Sequence, residues 1–434
     1  MLYLALVMAP LFVLLAGPIP EGIGFWHDLS IALGFAGLSM MGAQFFLTAR
    51  FRRASAPYGT DIIYYFHRYL AIIGLALIFV HILMITVPIL FALDNLVVLS
   101  LLNSFTASWD MISGAISVLL FVVVIATSLW RKKLKIDYDS WRIWHGILAV
   151  AALVFAIIHI ELIGYYINAP WKRALWIIIP ATLILLLIYV RLVKPLLMLR
   201  KPYRVVEVIK ERGVAWTLAL EPDGHQGMNY LPGQFAWLTL RNSPFTVREH
   251  PFSFSSSPVK GERLEFTIKE LGDFTQMIKD TKPGEAAYLD GPHGLFSIDR
   301  YRKAKGYVFI AGGIGIAPIM SMLRALADRN DRRPLHLIYA YTNWNCLTFR
   351  EELAHLEEKL NISMTYVLQE PHPGWDGEIG FVTREILKRN LPEDRASYEY
   401  FLCGPVVMKS AVEKNLKSLG VPFARIHSEL FDLV

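Results

Sequence analysis

Two pairs of histidines constrain this chain more than any other feature. His67 and His81 are fourteen residues apart, and so are His145 and His159. Each pair lies in an apolar run long enough to cross a membrane. On a helix, fourteen steps of about 100° bring the second side chain to within about 40° of the first. The axial separation is about 21 Å, most of a hydrocarbon core roughly 30 Å thick. Two such helices side by side present two facing His–His pairs, one near each membrane surface. Neutral imidazole is a strong axial ligand for haem iron, so the spacing fits two stacked haems. The competing reading is histidines that bond across helices or line a proton path. Two equal spacings on helices running the same way favour haem. Filled axial positions suit electron transfer rather than direct oxygen binding.

The flanking sequence agrees with a membrane setting. The hydrophobic fraction is 54% and mean hydropathy is +0.41, high for a soluble chain of this length. The apolar runs end near residue 195. Six spans are expected: 2–17, 27–49, 62–91, 110–130, 143–166 and 174–193. The first is short, contains Pro10 and lacks a basic start, and reads as an uncleaved helix. Arg50, Arg52 and Arg53 follow the second span, and Arg131, Lys132, Lys133, Lys135 and Arg142 the fourth. Arg191, Lys194, Arg200, Lys201 and Arg204 lie at and beyond the sixth. Opposite loops carry Glu21, Asp28, Asp94 and Asp110, with Lys172 and Arg173 against the trend. The positive-inside rule then places a multi-pass protein in the cell membrane with its N-terminus and C-terminal half in the cytoplasm. Trp141, Trp144 and Trp171 fall where interfacial anchors belong. His67 and His145 form the inner pair, His81 and His159 the outer. Arg68, Arg142 and Arg53 serve either haem propionates or simple anchoring, and His27 reads as interfacial. The net charge of +6 sits in topology signals, so no nucleic-acid surface is implied. Cys346 and Cys403 are the only cysteines, which supports neither a disulfide framework nor an iron–sulfur cluster.

The remainder reads as two soluble domains. From 203 to 302, short β-branched and aromatic strands broken by Gly and Pro suggest a small β-barrel. From 305 to 434, strands alternate with helices as in a parallel sheet with crossovers. His250-Pro251-Phe252-Ser253 follows a strand, where an aromatic ring can lie along a flat cofactor and a hydroxyl can meet its edge. Gly272, Phe274 and Thr275 form a Gly-containing turn into a helix, either a phosphate site or an ordinary cap. The strand Tyr307–Ala311 runs into Gly312-Gly313-Ile314-Gly315-Ile316-Ala317-Pro318 and a helix, a setting that favours a pyrophosphate. Cys403-Gly404-Pro405 leaves a strand at the edge where ligands bind in open α/β sheets.

This ordered set resembles the NADPH oxidase and ferric reductase superfamily, of bacterial type, in which a six-helix haem domain precedes a ferredoxin–NADP reductase-like module. The resemblance spans about residue 27 to Val434. It implies a helical membrane bundle over 1–195, an FAD-binding β-barrel over 203–302, and a Rossmann-like NAD(P)H domain over 305–434. Phe252 would lie against the isoalloxazine, Ser253 near flavin N5, and His250, beside Pro251, toward the FAD phosphates. Gly272, Phe274 and Thr275 would hold the pyrophosphate. Gly312, Gly313, Gly315 and Pro318 would bind the dinucleotide, and Cys403 with Gly404 and Pro405 would approach the nicotinamide. Phe431, three residues before the end, is the nearest aromatic to cover the flavin. Thr342-Asn343-Trp344-Asn345 lacks an arginine for a 2′-phosphate, which leaves NADH as plausible as NADPH. The implied activity is transfer of electrons from cytoplasmic NAD(P)H through FAD and two haems of the b type (haem b) to an external acceptor. Oxygen, giving superoxide, is preferred over a ferric chelate because the outer loops carry no metal-ligand cluster. A subunit feeding an external protein or quinone, and a haem sensor or transporter with an idle reductase domain, are the rivals. No obligatory protein partner is indicated.

Overall fold

A computed structural model describes residues 24–48, 60–92, 108–246, 248–259, 261 and 263–429, together with 12, 16 and 21. Apart from residues 12 and 16, the expected span 2–17 lies outside the described residues, as do Arg53, Asp94 and Phe431. Five helices among the described residues are long and apolar enough to cross a membrane. They are α1 (Phe25–Thr48), α2 (Thr60–Ala92), α3 (Trp109–Trp130), α4 (Tyr138–Ile163) and α5 (Pro170–Ile188). The chain divides into two units, a helical one ending at Lys194 and a second from Pro195 to Val434.

The helices pack through small residues, as apolar helices do where no hydrophobic gain separates protein from lipid. A Cβ on Gly37 of α1 would lie 2.7 Å from the carbonyl oxygen of Gly74 on α2. Ser117 of α3 donates to the Ala152 carbonyl of α4 at 2.8 Å. Helix α4 begins five residues before the expected 143 because the Asp137 carboxylate accepts from the Ser140 amide at 2.9 Å. It ends before the expected 166 because Gly164 takes a left-handed cap at φ 61°. Helix α5 runs through a π turn, Tyr189–Val193, into α6 (Lys194–Leu199).

In the second unit, strands β1 (Tyr203–Glu211), β2 (Ala215–Pro222), β3 (Phe235–Leu240), β4 (His250–Ser253), β5 (Leu264–Lys269) and β6 (Ala286–His293) form a curled antiparallel sheet. Its order is β4-β3-β6-β1-β2-β5. Strand β6 escapes sequence reading because it contains Gly291 and Pro292, ordinarily strand breakers. The short helix α7 (Asp273–Gln276) follows β5. Strands β7 (Tyr307–Gly312), β8 (Leu335–Tyr341), β9 (Ile362–Leu368), β10 (Glu378–Ile379), β11 (Glu399–Cys403) and β12 (Ile426–Glu429) form a parallel sheet ordered β10-β9-β8-β7-β11-β12. Helices α8 (Ile316–Asp328), α9 (Arg350–Lys359), α10 (Arg384–Asn390) and α11 (Val406–Ser418) connect them.

Helix α8 fastens this sheet to the barrel. Ser321 donates to the Ser256 carbonyl at 2.6 Å. Arg324 reaches the Ser255 carbonyl and Glu265 in the barrel, each at 2.8 Å, and both carboxylate oxygens of Glu352 on α9. The strand order reverses between β7 and β11, which makes their carboxyl ends the crevice where a ligand is expected.

Candidate redox sites

The helical unit brings His67 of α2 and His145 of α4 together, with ring centroids 6.2 Å apart. A metal about 2 Å from a nitrogen of each ring sets two imidazole centroids roughly 6 Å apart. The spacing fits a bis-histidine iron site. The tautomers fit as well. A carbonyl only accepts, so the Nδ1 of His81, 2.9 Å from the Ser30 carbonyl, carries its proton. The Nδ1 of His159 donates likewise to the Asp110 carbonyl at 2.6 Å. The Ser128 hydroxyl donates to the Val124 carbonyl at 2.6 Å and therefore accepts from His145 Nδ1 at 3.1 Å. On three of the four rings Nδ1 thus faces an acceptor, which in the neutral imidazole leaves Nε2 as the nitrogen a metal requires. His67 Nδ1 is buried and has no hydrogen-bond partner among the described residues.

The rings at the second end are admitted by glycines that the histidine spacing did not reveal. A Cβ on Gly34 would stand 3.1 Å from the His81 ring, and one on Gly114 2.8 Å from His159 Nδ1. Arg68 lies 6.0 Å from the centre of the Tyr69 ring, and Arg142 is half-buried one turn before His145. His27 joins Asp28 and Tyr166, whose hydroxyl donates to Asp28 at 2.5 Å. It belongs to that polar group rather than to a histidine pair.

In the second unit, β4 runs antiparallel to β3, pairing Phe235 with Ser253, Ala236 with Phe252 and Leu238 with His250. The Phe274 ring lies 4.1 Å from His250 and 5.9 Å from Phe252, nearly parallel to the latter. Ser253 is buried and its hydroxyl has no hydrogen-bond partner among the described residues. An unbonded buried hydroxyl is costly, and one beside an aromatic shelf suits the polar edge of a flavin. Thr275 is more local than expected. Its oxygen accepts from the Leu271 and Gly272 amides at 2.8 and 2.9 Å and donates to the Gly272 carbonyl. That hydroxyl closes its own turn, while Gly272 opens onto free space.

The glycines after β7 divide by task. Gly313 has φ 55° and nothing near its missing Cβ, so its main chain is open to a phosphate. A Cβ on Gly315 would lie 2.4 Å from the Cys403 carbonyl oxygen, and one on Gly312 2.4 Å from Met408 Sδ. A Cβ on Gly404 would lie 3.1 Å from the Gly312 backbone. These three seat the β7 and β11 loops against each other, with Pro405 among the contacts of Gly312 and Pro318 buried in α8.

Cys403 is fully buried, in register with Ala311 on one side and Glu429 on the other. Burial pushes its thiol well above the ordinary range, and the Glu429 carboxylate adds to this. It is therefore a protonated thiol at neutral pH. Sequence reasoning missed Glu429, whose Oε1 lies 3.0 Å from the Cβ position of Gly294; that position is also 3.1 Å from the Phe235 ring. An acidic residue at the carboxyl end of the last strand was the available signal. Ser253, Phe235, Gly294, Glu429 and Cys403 therefore line one edge where barrel and parallel sheet meet.

The chain matches three family models in order. They are described as ferric reductase like transmembrane component over residues 33–156, FAD-binding domain over 217–288, and oxidoreductase NAD-binding domain over 309–414. It is 34% identical over 170 residues to NADH-cytochrome b5 reductase 1 of Aspergillus terreus, covering 38% of this chain and 57% of that protein. It is 29% identical over 234 residues to the glycine betaine monooxygenase reductase subunit of Pseudomonas aeruginosa, covering 52% and 63%. The chain thus spans under two thirds of the length of these curated relatives. A flavohemoglobin from Malassezia yamatoensis, solved with bound FAD and heme, shares the fold at TM-score 0.50 and 15% identity over 95% of this chain and 100% of that one.

Proposed function

We propose that this chain, which has the domain architecture of the NADPH oxidase and ferric reductase superfamily, moves electrons from NADH or NADPH across a membrane to an acceptor on the far side. The observation that carries this is the 6.2 Å approach of the His67 and His145 rings, on apolar helices that precede an FAD- and NAD-binding module. FAD, when bound, accepts a hydride and gives up electrons singly, and haem, when bound, carries one electron at a time.

The chain's own residues supply position and dryness. His67 with His145, and His81 with His159, would hold the two haems, and Arg68 and Arg142 would meet propionates. Phe252 and Phe274 would shelve the flavin, with His250 and Pro251 beside them and Ser253 offering its hydroxyl to the flavin edge. Gly313 would present its amide to the dinucleotide. The neutral Cys403 thiol would pack at the nicotinamide and exclude water from the hydride path. The basic loops support a cytoplasmic reductase module. Among acceptors, oxygen is favoured, with a ferric chelate, an external protein or a quinone as alternatives.

One assay on the purified full chain tests this. NADH and NADPH are supplied in turn, and cytochrome c reduction with and without superoxide dismutase is compared with ferric-chelate reduction. Dismutase-sensitive turnover is the expected result. Flavin reduction without turnover toward oxygen or ferric chelate would reassign the chain as a donor subunit. No flavin reduction by either nucleotide would sink the proposal.

Cys403→Ala is expected to slow single-turnover flavin reduction about tenfold while sparing FAD content, since a misplaced nicotinamide costs rate before affinity. An unchanged rate would remove Cys403 from the hydride site.

A further inference from the structure

The four histidines are not held alike. His81 and His159 each donate to a main-chain carbonyl, of Ser30 and Asp110, which no side-chain substitution removes; the Ser30 hydroxyl, its proton given to the His81 carbonyl, is a second acceptor 3.1 Å from His81 Nδ1. His145 rests on a hydroxyl, that of Ser128. His67 Nδ1 has no hydrogen-bond partner among the described residues. Ser128 is itself immobilised, because its proton is committed to the Val124 carbonyl one turn earlier on α3. Its lone pair is left to face His145. The Trp141 ring also touches His145, at 5.0 Å between centroids. Its own buried Nε1 has no hydrogen-bond partner among the described residues, and its contact with the imidazole is through the ring.

We propose that Ser128 is the positioning residue of the His67–His145 site, fixing the tautomer and orientation of His145 and raising the basicity of the Nε2 offered to iron. The inference rests on the haem ligation proposed above. A hydrogen bond from Nδ1–H pushes electron density toward Nε2, which favours ferric over ferrous iron and lowers the midpoint potential. Donation of the Ser128 proton to Val124 polarises the hydroxyl and strengthens it as an acceptor. Because His67 Nδ1 has no such bond among the described residues, this influence at that site passes through the Ser128 hydroxyl. At the other site both rings keep a main-chain acceptor, so a side-chain change there leaves a carbonyl bond in place.

Spectroelectrochemistry on the purified full chain tests the assignment, following haem absorbance against applied potential with haem content measured in parallel. Ser128→Ala should keep two haems per chain, raise one midpoint and leave the other unmoved. Ser128→Thr should restore the original value, since its hydroxyl can make the same two bonds. Ser30→Ala removes a hydroxyl from His81 as well, but should shift a midpoint less than Ser128→Ala does, because His81 keeps its carbonyl acceptor at 2.9 Å. If the alanine variant fails to assemble, Ser128→Cys, of similar volume but a weaker acceptor, should show the same upward shift. Unmoved midpoints with two haems present, or a shift that threonine does not reverse, would overturn the role of Ser128. Absence of haem from the unmodified protein would instead overturn the ligation on which the inference rests.

Discussion

His145→Leu is expected to yield a chain with one haem instead of two, normal flavin reduction by the nucleotide, and acceptor reduction at background. Leucine fills much of the space of the imidazole and suits the apolar helix, so α4 has no reason to unfold. It has no lone pair, however, and His67 alone would be left to hold the group. The histidine is also the group that Ser128 and Trp141 hold, so its removal disconnects the site from its supports. His159 lies fourteen residues further along α4, about 21 Å away. It keeps its bond to Asp110, and the second haem should remain. Nucleotide oxidation under single-turnover conditions should be unaffected, because no residue of the barrel or parallel sheet changes. The test is haem per chain by absorbance together with the dithionite-reduced spectrum. Two haems of unaltered spectrum would remove His145 from the ligand set. Loss of both haems would mean that the pairs assemble as one unit.

The sequence announces this site through periodicity, which is why the histidine pairs and their helices were legible. Fourteen residues close nearly four turns, and no knowledge of neighbouring helices is needed to see it. What holds the rings was not legible. Ser30, Ser128 and Asp110 sit on other helices, and an isolated serine in an apolar run commonly bonds its own helix, as Ser128 does to Val124. Gly34 and Gly114 are likewise meaningful only once a ring is seen against them. The barrel shows the same division. His250 to Ser253 stood out as a string, but the stacking of Phe274 between His250 and Phe252 depends on a turn twenty residues later. Thr275 carried the signature of a phosphate turn and spends its hydroxyl on a cap, two outcomes that share one local pattern. Glu429 reaches Cys403 only through the β11–β12 register, which cannot be read from a single strand. Local pattern thus located the elements, and tertiary neighbours decided which side chain does what.

The glycines after β7 turn that lesson into the second large effect. Gly315→Glu is expected to abolish nucleotide-dependent flavin reduction while leaving the haem spectrum intact. The motif alone suggests that a carboxylate there would repel the pyrophosphate. Packing makes the damage more basic. Any Cβ at 315 falls 2.4 Å from the Cys403 carbonyl oxygen and 2.6 Å from its carbon, both main-chain atoms that cannot swing aside. The β7 and β11 loops must separate, and with them Gly312, Gly404 and the thiol of Cys403. Overpacking of this kind costs about 1–3 kcal/mol, taken from the nucleotide-binding sheet rather than from the helices. Gly313→Ala provides the contrast. Space around it is open, and its penalty is the left-handed backbone at φ 55°, about 1 kcal/mol. It should weaken nucleotide affinity severalfold and leave the sheet folded. If Gly315 acted only by charge, Gly315→Ala would behave like the original chain. If it acts by close approach, Gly315→Ala should already lose most of the activity and lower the unfolding temperature of the reductase module, with Gly313→Ala far milder. Stopped-flow flavin reduction and thermal unfolding of the three variants decide between the two. Equal activity in Gly315→Ala and the original chain would refute the packing account.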